Sequence, residues 1–455
     1  MSKNINLTEG NIIKAITKLA LPIMGTSFIQ MAYNLTDIMW LGRLSTNAVA
    51  AAGTAGYFLW FGTGLILISQ IGIGVCVAQS YGKGELEEAK KYISNGIQLD
   101  VFIGIIYSLI LYLFRYNIIG FFNIDDISVF NMAVEYLKII SIGLIFHFIN
   151  PIFSTILNSS GDSVTPFRVN TLGLIFNIIL DPLLIFGLGP IKGLGIKGAA
   201  LATILAQFMV TIIFIIVGKQ NLKLYSHVKL IKKPNFTYIK KIVTLGFPAF
   251  LQTSVHSGIS MILTRIVAQF GPTPIAVSSV GSQIESVSWM TSEGFSSAIS
   301  AFMGQNYGAK KYHRIKEGYK KGMEIVGAIG IFATLLLIIG AEPLFKIFIP
   351  EDPAAIEEGI RYLRILGLSQ FFMSIEIGTA GAFNGLGRTL PPAITSIIFN
   401  ALRIPIAIGL SSYISMGTSG VWWAISITGI IKGIILPIIF VRLMRKGFSN
   451  KEVLE

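Results

Sequence analysis

Residues 48–78 read AVAAAGTAGYFLWFGTGLILISQIGIGVCVA, without one Asp, Glu, Lys or Arg. About 20 mostly apolar residues suffice for a helix to cross the hydrocarbon core of a bilayer, so this stretch has length to spare. The rest of the chain is built alike. It is 53% hydrophobic and only 13% charged, with a mean hydropathy of +0.70, whereas a soluble surface needs far more charge. Too few polar stretches remain to enclose a soluble domain. Most of the chain therefore faces something as apolar as its own core, which is lipid.

Twelve segments have spanning length, near 14–40, 48–78, 91–114, 131–157, 167–187, 194–217, 240–267, 273–304, 319–340, 358–384, 391–412 and 418–441. Residues 1–18 are polar, with Lys3, Lys14 and Lys18, and the apolar run that follows is too long for a signal core. No cleavable signal peptide is expected. The single cysteine, Cys76, lies in an apolar run and excludes an internal disulfide framework; it reads as a small packing residue.

An even number of spans puts both termini on one side. The segments 1–18, 79–91, 158–168, 218–241, 305–321, 385–390 and 442–455 hold 25 Lys and Arg, against Arg43, Arg115, Lys192, Lys197 and Lys346 in the opposite loops. Basic loops stay in the cytoplasm, so both termini are expected there. This bias accounts for the net charge of +13 as topology plus attraction to anionic headgroups. A nucleic-acid partner is not expected, because the basic residues are scattered over seven segments.

The chain repeats itself with an offset of 226 residues. Pro22 matches Pro248 and Ala50 matches Ala276. Gln79, Tyr81 and Gly82 match Gln305, Tyr307 and Gly308; Phe122, Tyr136 and Leu137 match Phe348, Tyr362 and Leu363. Asn158, Gly161 and Pro166 match Asn384, Gly387 and Pro392. Beyond about residue 170 the register slips: Asp181-Pro182 then faces Ile404-Pro405, and Gly195 and Gly198 face Gly417 and Gly420. A gapless offset over so long a run marks a duplication. The fold expected is an all-α polytopic membrane protein of twelve helices, its two six-helix lobes related by a pseudo-two-fold axis along the membrane normal. The lobes are expected at 1–217 and 242–455, joined by a basic cytoplasmic linker at 218–241. Such repeats are common in secondary transporters, duplication for architecture alone being the plainer alternative.

Several motifs in this frame resemble the multidrug and toxic compound extrusion (MATE) transporters. They are Leu21-Pro22 and Tyr33-Asn34-Leu35-Thr36-Asp37 in the first span, Gln79-Ser80-Tyr81-Gly82 with its echo Gly304-Gln305-Asn306-Tyr307-Gly308, the loops Asn158–Asp162 and Asn384–Arg388, and Asn177-Ile178-Ile179-Leu180-Asp181-Pro182. The resemblance covers about residues 10–445. It implies two six-helix lobes that export organic cations by antiport with Na⁺ or H⁺. It implies a bacterial inner-membrane location, no cofactor beyond the coupling ion, and a monomer with small-molecule and lipid partners.

Ionisable side chains at membrane depth are costly, at least ~2.5–3.5 kcal/mol each on insertion scales, and are the places to seek function. Gln30, Tyr33 and Asp37 share a helix face at i, i+3 and i+7, as do Asn177 and Asp181, and Thr203 and Gln207, four apart. Pro182 lacks an N–H and so leaves a carbonyl near Asp181 free. Two carboxylates with amide and hydroxyl oxygens suit a dehydrated monovalent cation. Alternatively, two close carboxyls that cannot both stay charged form a proton-exchanging pair. The resemblance implies that Asp37, Asn177, Asp181 and Thr203 bind the coupling ion, Na⁺ included. The alternative is a polar clamp that only holds the helices together.

The halves differ. Leu263 stands opposite Asp37 and Ile404 opposite Asp181, while the second half carries Gln252, His256, Glu285 and Glu293. These four, with Gln30 and Tyr33, are candidates for a substrate cleft; the glutamates are equally placed to pair with Arg265 or Arg403. Some MATE proteins have a functional glutamate where this chain has His256. Pro22 and Pro248 are candidate gating hinges, each removing a helix hydrogen bond.

A lipid-linked flippase of the related superfamily is the alternative within transport. A channel is the less fitting alternative, and an intramembrane enzyme has no support, with only His147, His227, His256 and His313 and no HExxH, GxSxG or P-loop motif. A cysteine placed at Lys83 should react with an impermeant maleimide only once the cytoplasmic face is opened, and one at Gly120 in intact cells. The reverse pattern contradicts the orientation.

Overall fold

The computed structural model describes residues 5–188, 191–221, 233–349 and 352–448. Residues 222–232 of the expected basic linker lie outside the described residues. The first half consists of α1 (Ile12–Leu44), α2 (Thr46–Gly82), α3 (Leu86–Gly120), α4 (Ile127–Ser160), α5 (Val164–Ile185), a two-stranded hairpin β1 (Gly187–Leu188) with β2 (Ile191–Lys192), and α6 (Ile196–Asn221). The second half consists of α7 (Phe236–Ala268), α8 (Pro272–Gly308), α9 (Tyr312–Ile339), α10 (Ala341–Phe348), α11 (Pro353–Gly367), α12 (Gln370–Gly385), α13 (Leu390–Ile408), a π-helical turn at Gly409–Tyr413, and α14 (Thr418–Phe448).

Nine of these helices, among the described residues, are long and apolar enough to cross a membrane, and the bent pair α11–α12 makes a tenth. The other two expected spans, α7 and α8, have the length but are diluted by their polar residues, including Lys240, Lys241, His256, Glu285 and Glu293. Lipid-facing surfaces are visible as large exposed apolar side chains, Phe102, Leu109 and Leu113 on α3 and Ile331, Phe332 and Leu335 on α9.

The expected continuous tenth span at 358–384 is corrected here, because α11 and α12 meet at a 46° bend. At the break the Ser369 hydroxyl donates to the Leu366 carbonyl (2.8 Å), and the Phe371 N–H donates to the Thr334 hydroxyl of α9 (3.2 Å). Side chains thus satisfy backbone groups that the interrupted helix leaves open. The repeat is also written in the caps. Asp126 caps α4 through the N–H of Ser128 (2.7 Å), and Asp352, 226 residues on, caps α11 through that of Ala354 (3.0 Å). The halves also differ in the connection that follows the slip. The first half turns between α5 and α6 through the hairpin, whereas the second half extends α13 by a π turn and needs a shorter connection.

The chain forms two compact units. Among the described residues, one comprises residue 5 and residues 25–247, the other residues 6–24 and 248–448. This division differs from chain halves, because the start of α1 belongs to the second unit and the start of α7 to the first. In the first unit, a Cβ on Gly246 of α7 would strike the backbone carbonyl of Ile68 on α2, and one on Gly72 that of Ile242. The Tyr238 hydroxyl there donates to Glu88 (3.1 Å) and the Asn235 N–H to Asn95 (2.7 Å). In the second unit, Gly294 of α8, offset from Ile68 by 226, lies against the Met24 backbone of α1. The Arg314 guanidinium and Asn306 amide hold the Leu7 carbonyl (3.3 and 3.0 Å). Each leading helix is thus seated by the same repeat position, with glycine permitting the close approach. Pro22 and Pro248 lie inside unbroken α1 and α7, where the units divide.

Gly246→Ala should lower the melting temperature, costing ~1–3 kcal/mol through overpacking. Gly53→Ala, with nothing within 4 Å of its Cβ, should be neutral or slightly stabilising. A stable Gly246→Ala protein contradicts the α7–α2 packing.

Candidate functional site

The first unit brings the expected acidic cluster together. Asp181 and Asn177 project from one face of α5 and are fully buried; Asp37 comes from α1, four residues beyond Tyr33, and Thr203 from α6. The Asn177 amide donates to Asp181 Oδ1 (3.3 Å) and the Thr203 hydroxyl reaches Asp37 Oδ2 (3.3 Å), while the Tyr33 hydroxyl donates to the Thr203 carbonyl (3.4 Å). The two carboxyl groups lie close enough to act on each other. Among the described residues neither has an ion pair with Lys, Arg or His.

The acceptors outnumber the donors. Asp37 Oδ1, Asp181 Oδ2 and Asn177 Oδ1 are all buried with no hydrogen-bond partner. An unmet buried acceptor costs ~1–3 kcal/mol and more when charged, so this arrangement is stable only with a positive partner, a cation or a proton. The residues present fit a monovalent ion, with two carboxylates and neutral oxygens from three helices.

Two residues that share a helix face with members of this cluster lie outside it. Gln30 is exposed with no hydrogen bond among the described residues. Gln207 faces α4, where Asn150 donates to its side chain (2.7 Å), and Thr211 donates to Asn150 Oδ1 (2.8 Å). Thr203 and Gln207 therefore serve different neighbours. Tyr136, which entered the sequence analysis only as a repeat match, is buried close enough to Asp37 and Asp181 to feel both charges. Its retention at Tyr362, inside an apolar span, was the available signal.

The second unit has a different cluster. Leu263 is buried at the position equivalent to Asp37. Glu285 on α8 is contacted by the Gln370 amide (3.4 Å) and by Tyr362, the repeat partner of Tyr136. Arg403, the one of its two suggested partners that acts on Glu285, donates from Nε to Thr428 (3.0 Å), whereas Arg265 is exposed. His256 Nδ1 lies 3.4 Å from the Asn400 amide, and Asn400, equivalent to Asn177 by the slipped register, also has an unmet Oδ1. Gln252 is half-buried, and Glu293 is exposed with no ion pair among the described residues. Sequence reasoning overlooked the ion pair between Glu376 and Lys432, 3.0 Å apart and only 12% and 8% exposed.

A duplicated bundle of membrane-spanning helices with unpaired carboxylates at its core has the architecture of a secondary transporter. A family model described as MatE matches residues 22–183 and 248–408, the two copies of the repeat. The chain belongs to this family, the multidrug and toxic compound extrusion transporters, and is a transporter rather than an enzyme. It is 30% identical to a probable multidrug resistance protein NorM of Thermotoga maritima over 414 residues, 90% of this chain and 88% of that one. It is 25% identical to an FAD transporter of Shewanella oneidensis over 95% of both chains. Among solved structures, a MATE protein in a bent conformation superposes with a TM-score of 0.91 at 22% identity, covering 98% of each chain.

Asn150→Leu removes the bonds to Gln207 and Thr211 and should lower the melting temperature by the equivalent of ~1–3 kcal/mol. The ion dependence of stability should stay intact, since Asn150 does not touch the carboxyl pair. An unchanged melting temperature contradicts these bonds.

Proposed function

We propose that the protein acts as a monomer in a bacterial cytoplasmic membrane and exports amphipathic organic cations by antiport with Na⁺ or H⁺. The observation that carries this reading is the Asp37–Asp181 pair, which has three unmet oxygens around it and no basic side chain. Asp37, Asn177, Asp181 and Thr203 bind the coupling ion on this reading, and Tyr33 and Tyr136 frame it. Binding draws α1 toward α5 and α6, because Asp37 is the contribution of α1 to the site. Pro22 lies fifteen residues before Asp37 and lets the first part of α1 hinge, and Pro248 serves α7 alike.

The relatives' names support export of small organic compounds. Exposed aromatic faces at Tyr57, Trp60 and Phe61 on α2 suit amphipathic substrates; in the second unit, Gln252, His256, Glu285 and Glu293 are the polar residues suited to a cationic one. A flippase for lipid-linked phosphates needs basic side chains free in a cavity, yet Arg403 and Lys432 are buried and bonded to Thr428 and Glu376.

The test is uptake of a fluorescent organic cation into proteoliposomes under an imposed Na⁺ or proton gradient. One gradient should drive transport, and Asp37→Asn should cut it by about 5–150-fold, the range of a ~1–3 kcal/mol coupling energy. Wild-type transport by Asp37→Asn removes Asp37 from the coupling site, and no transport under either gradient contradicts the exporter reading.

A further inference from the structure

The second unit surrounds its partly buried acids differently from the first. Glu376 on α12 and Lys432 on α14 face each other at 3.0 Å, both nearly closed to solvent. Their alignment is built into the backbone. A Cβ on Gly433 would strike the carbonyl of Phe372, so α14 lies directly on α12 one turn from Glu376. The groups around the pair come from four further helices, His256 on α7, Glu285 on α8, Tyr362 on α11 and Arg403 on α13, and from the pair's own helices, Gln370 on α12 and Thr428 on α14. Arg403 is 8% exposed and lies within the field of both Glu285 and Glu376. The cluster thus holds two carboxyls and two fixed cations. At the positions equivalent to the first unit's Asp37 and Asp181 stand Leu263 and Ile404. Its own side chains already supply the positive charge that the first unit lacks.

We propose that Lys432 is a tethered counter-ion that occupies, in the second unit, the electrostatic role of an exchangeable cation in the first, with Arg403 as its companion. Glu376 is then closed to Na⁺ and to proton exchange, and ion coupling is left to the Asp37–Asp181 site, while Glu285 lies in the field of Arg403 and keeps one buried oxygen without a hydrogen-bond partner. The inference rests on the ion-binding role proposed for that site. It makes Lys432 a residue that sets how many ions the transporter binds. Removing the ammonium alone leaves a buried carboxylate without compensation, which recruits a cation from solution; removing both partners leaves none.

The experiment compares ²²Na⁺ binding and proton uptake on acidification in the purified full-length protein. The variants are D37N/D181N, K432M and E376Q/K432M, each checked for folding by gel filtration and helical content. Wild-type ion binding should fall to background in D37N/D181N and stay at the wild-type level in E376Q/K432M. Folded K432M should gain a second binding site that survives addition of D37N/D181N and disappears on addition of E376Q. If K432M does not fold, E376Q/K432M carries the test alone.

Loss of ion binding in folded E376Q/K432M overturns the proposal, since the pair itself then exchanges ions. A folded K432M that gains no site overturns it as well. Full ion binding in D37N/D181N instead contradicts the first-unit site, a separate result read from a separate variant.

Discussion

A charge taken out of water into a low-dielectric interior must be met by an opposite charge or a proton, and much of this structure follows from that requirement. The first unit holds Asp37 and Asp181 close together and gives them only neutral partners, Asn177, Thr203 and the tyrosines. The second holds Glu285 and Glu376 beside Arg403 and Lys432. Among the described residues the first pair of acids has no basic partner, whereas in the second unit Glu376 is paired with Lys432.

Duplication explains how one fold carries both solutions. The scaffold is common: Asp126 and Asp352 cap equivalent helices, Tyr136 and Tyr362 face the buried acids of their own units, and Asn177 and Asn400 keep an unmet oxygen at matching places. Divergence falls on a few positions, Leu263 for Asp37 and Ile404 for Asp181. The leading helices α1 and α7 each contribute to both compact units and carry a proline at the division. A proline there lowers the cost of bending a helix whose two parts are held in separate cores.

The membrane class, the twelve helical segments and the duplication were legible in the sequence, because lipid imposes long apolar runs and the repeat keeps its offset. The first-unit site was legible too, since Asp37, Asn177 and Asp181 stand out in apolar spans at helical spacing. The bend at Gly367–Ser369 was not, because it depends on Thr334 of another helix supplying a hydrogen bond. Glu376 stood out as a carboxylate in the tenth span, but its pairing with Lys432 was not legible for a similar reason: the two are 56 positions apart, and the packing of Gly433 on Phe372 brings them together. Gln207 shares a face with Thr203 yet bonds to α4, because helical spacing does not say which neighbour a face meets.

The most direct test of this account is to give the first unit a cation of its own. In Asn177→Lys the new ammonium lies beside Asp181 and takes the place of the exchangeable ion. The protein should fold, its melting temperature should no longer respond to Na⁺ or to acidification, and gradient-driven export should stop. Export by Asn177→Lys at the wild-type rate, with the wild-type ion dependence, would contradict the claim that the unpaired carboxyls of the first unit are where the ion gradient acts.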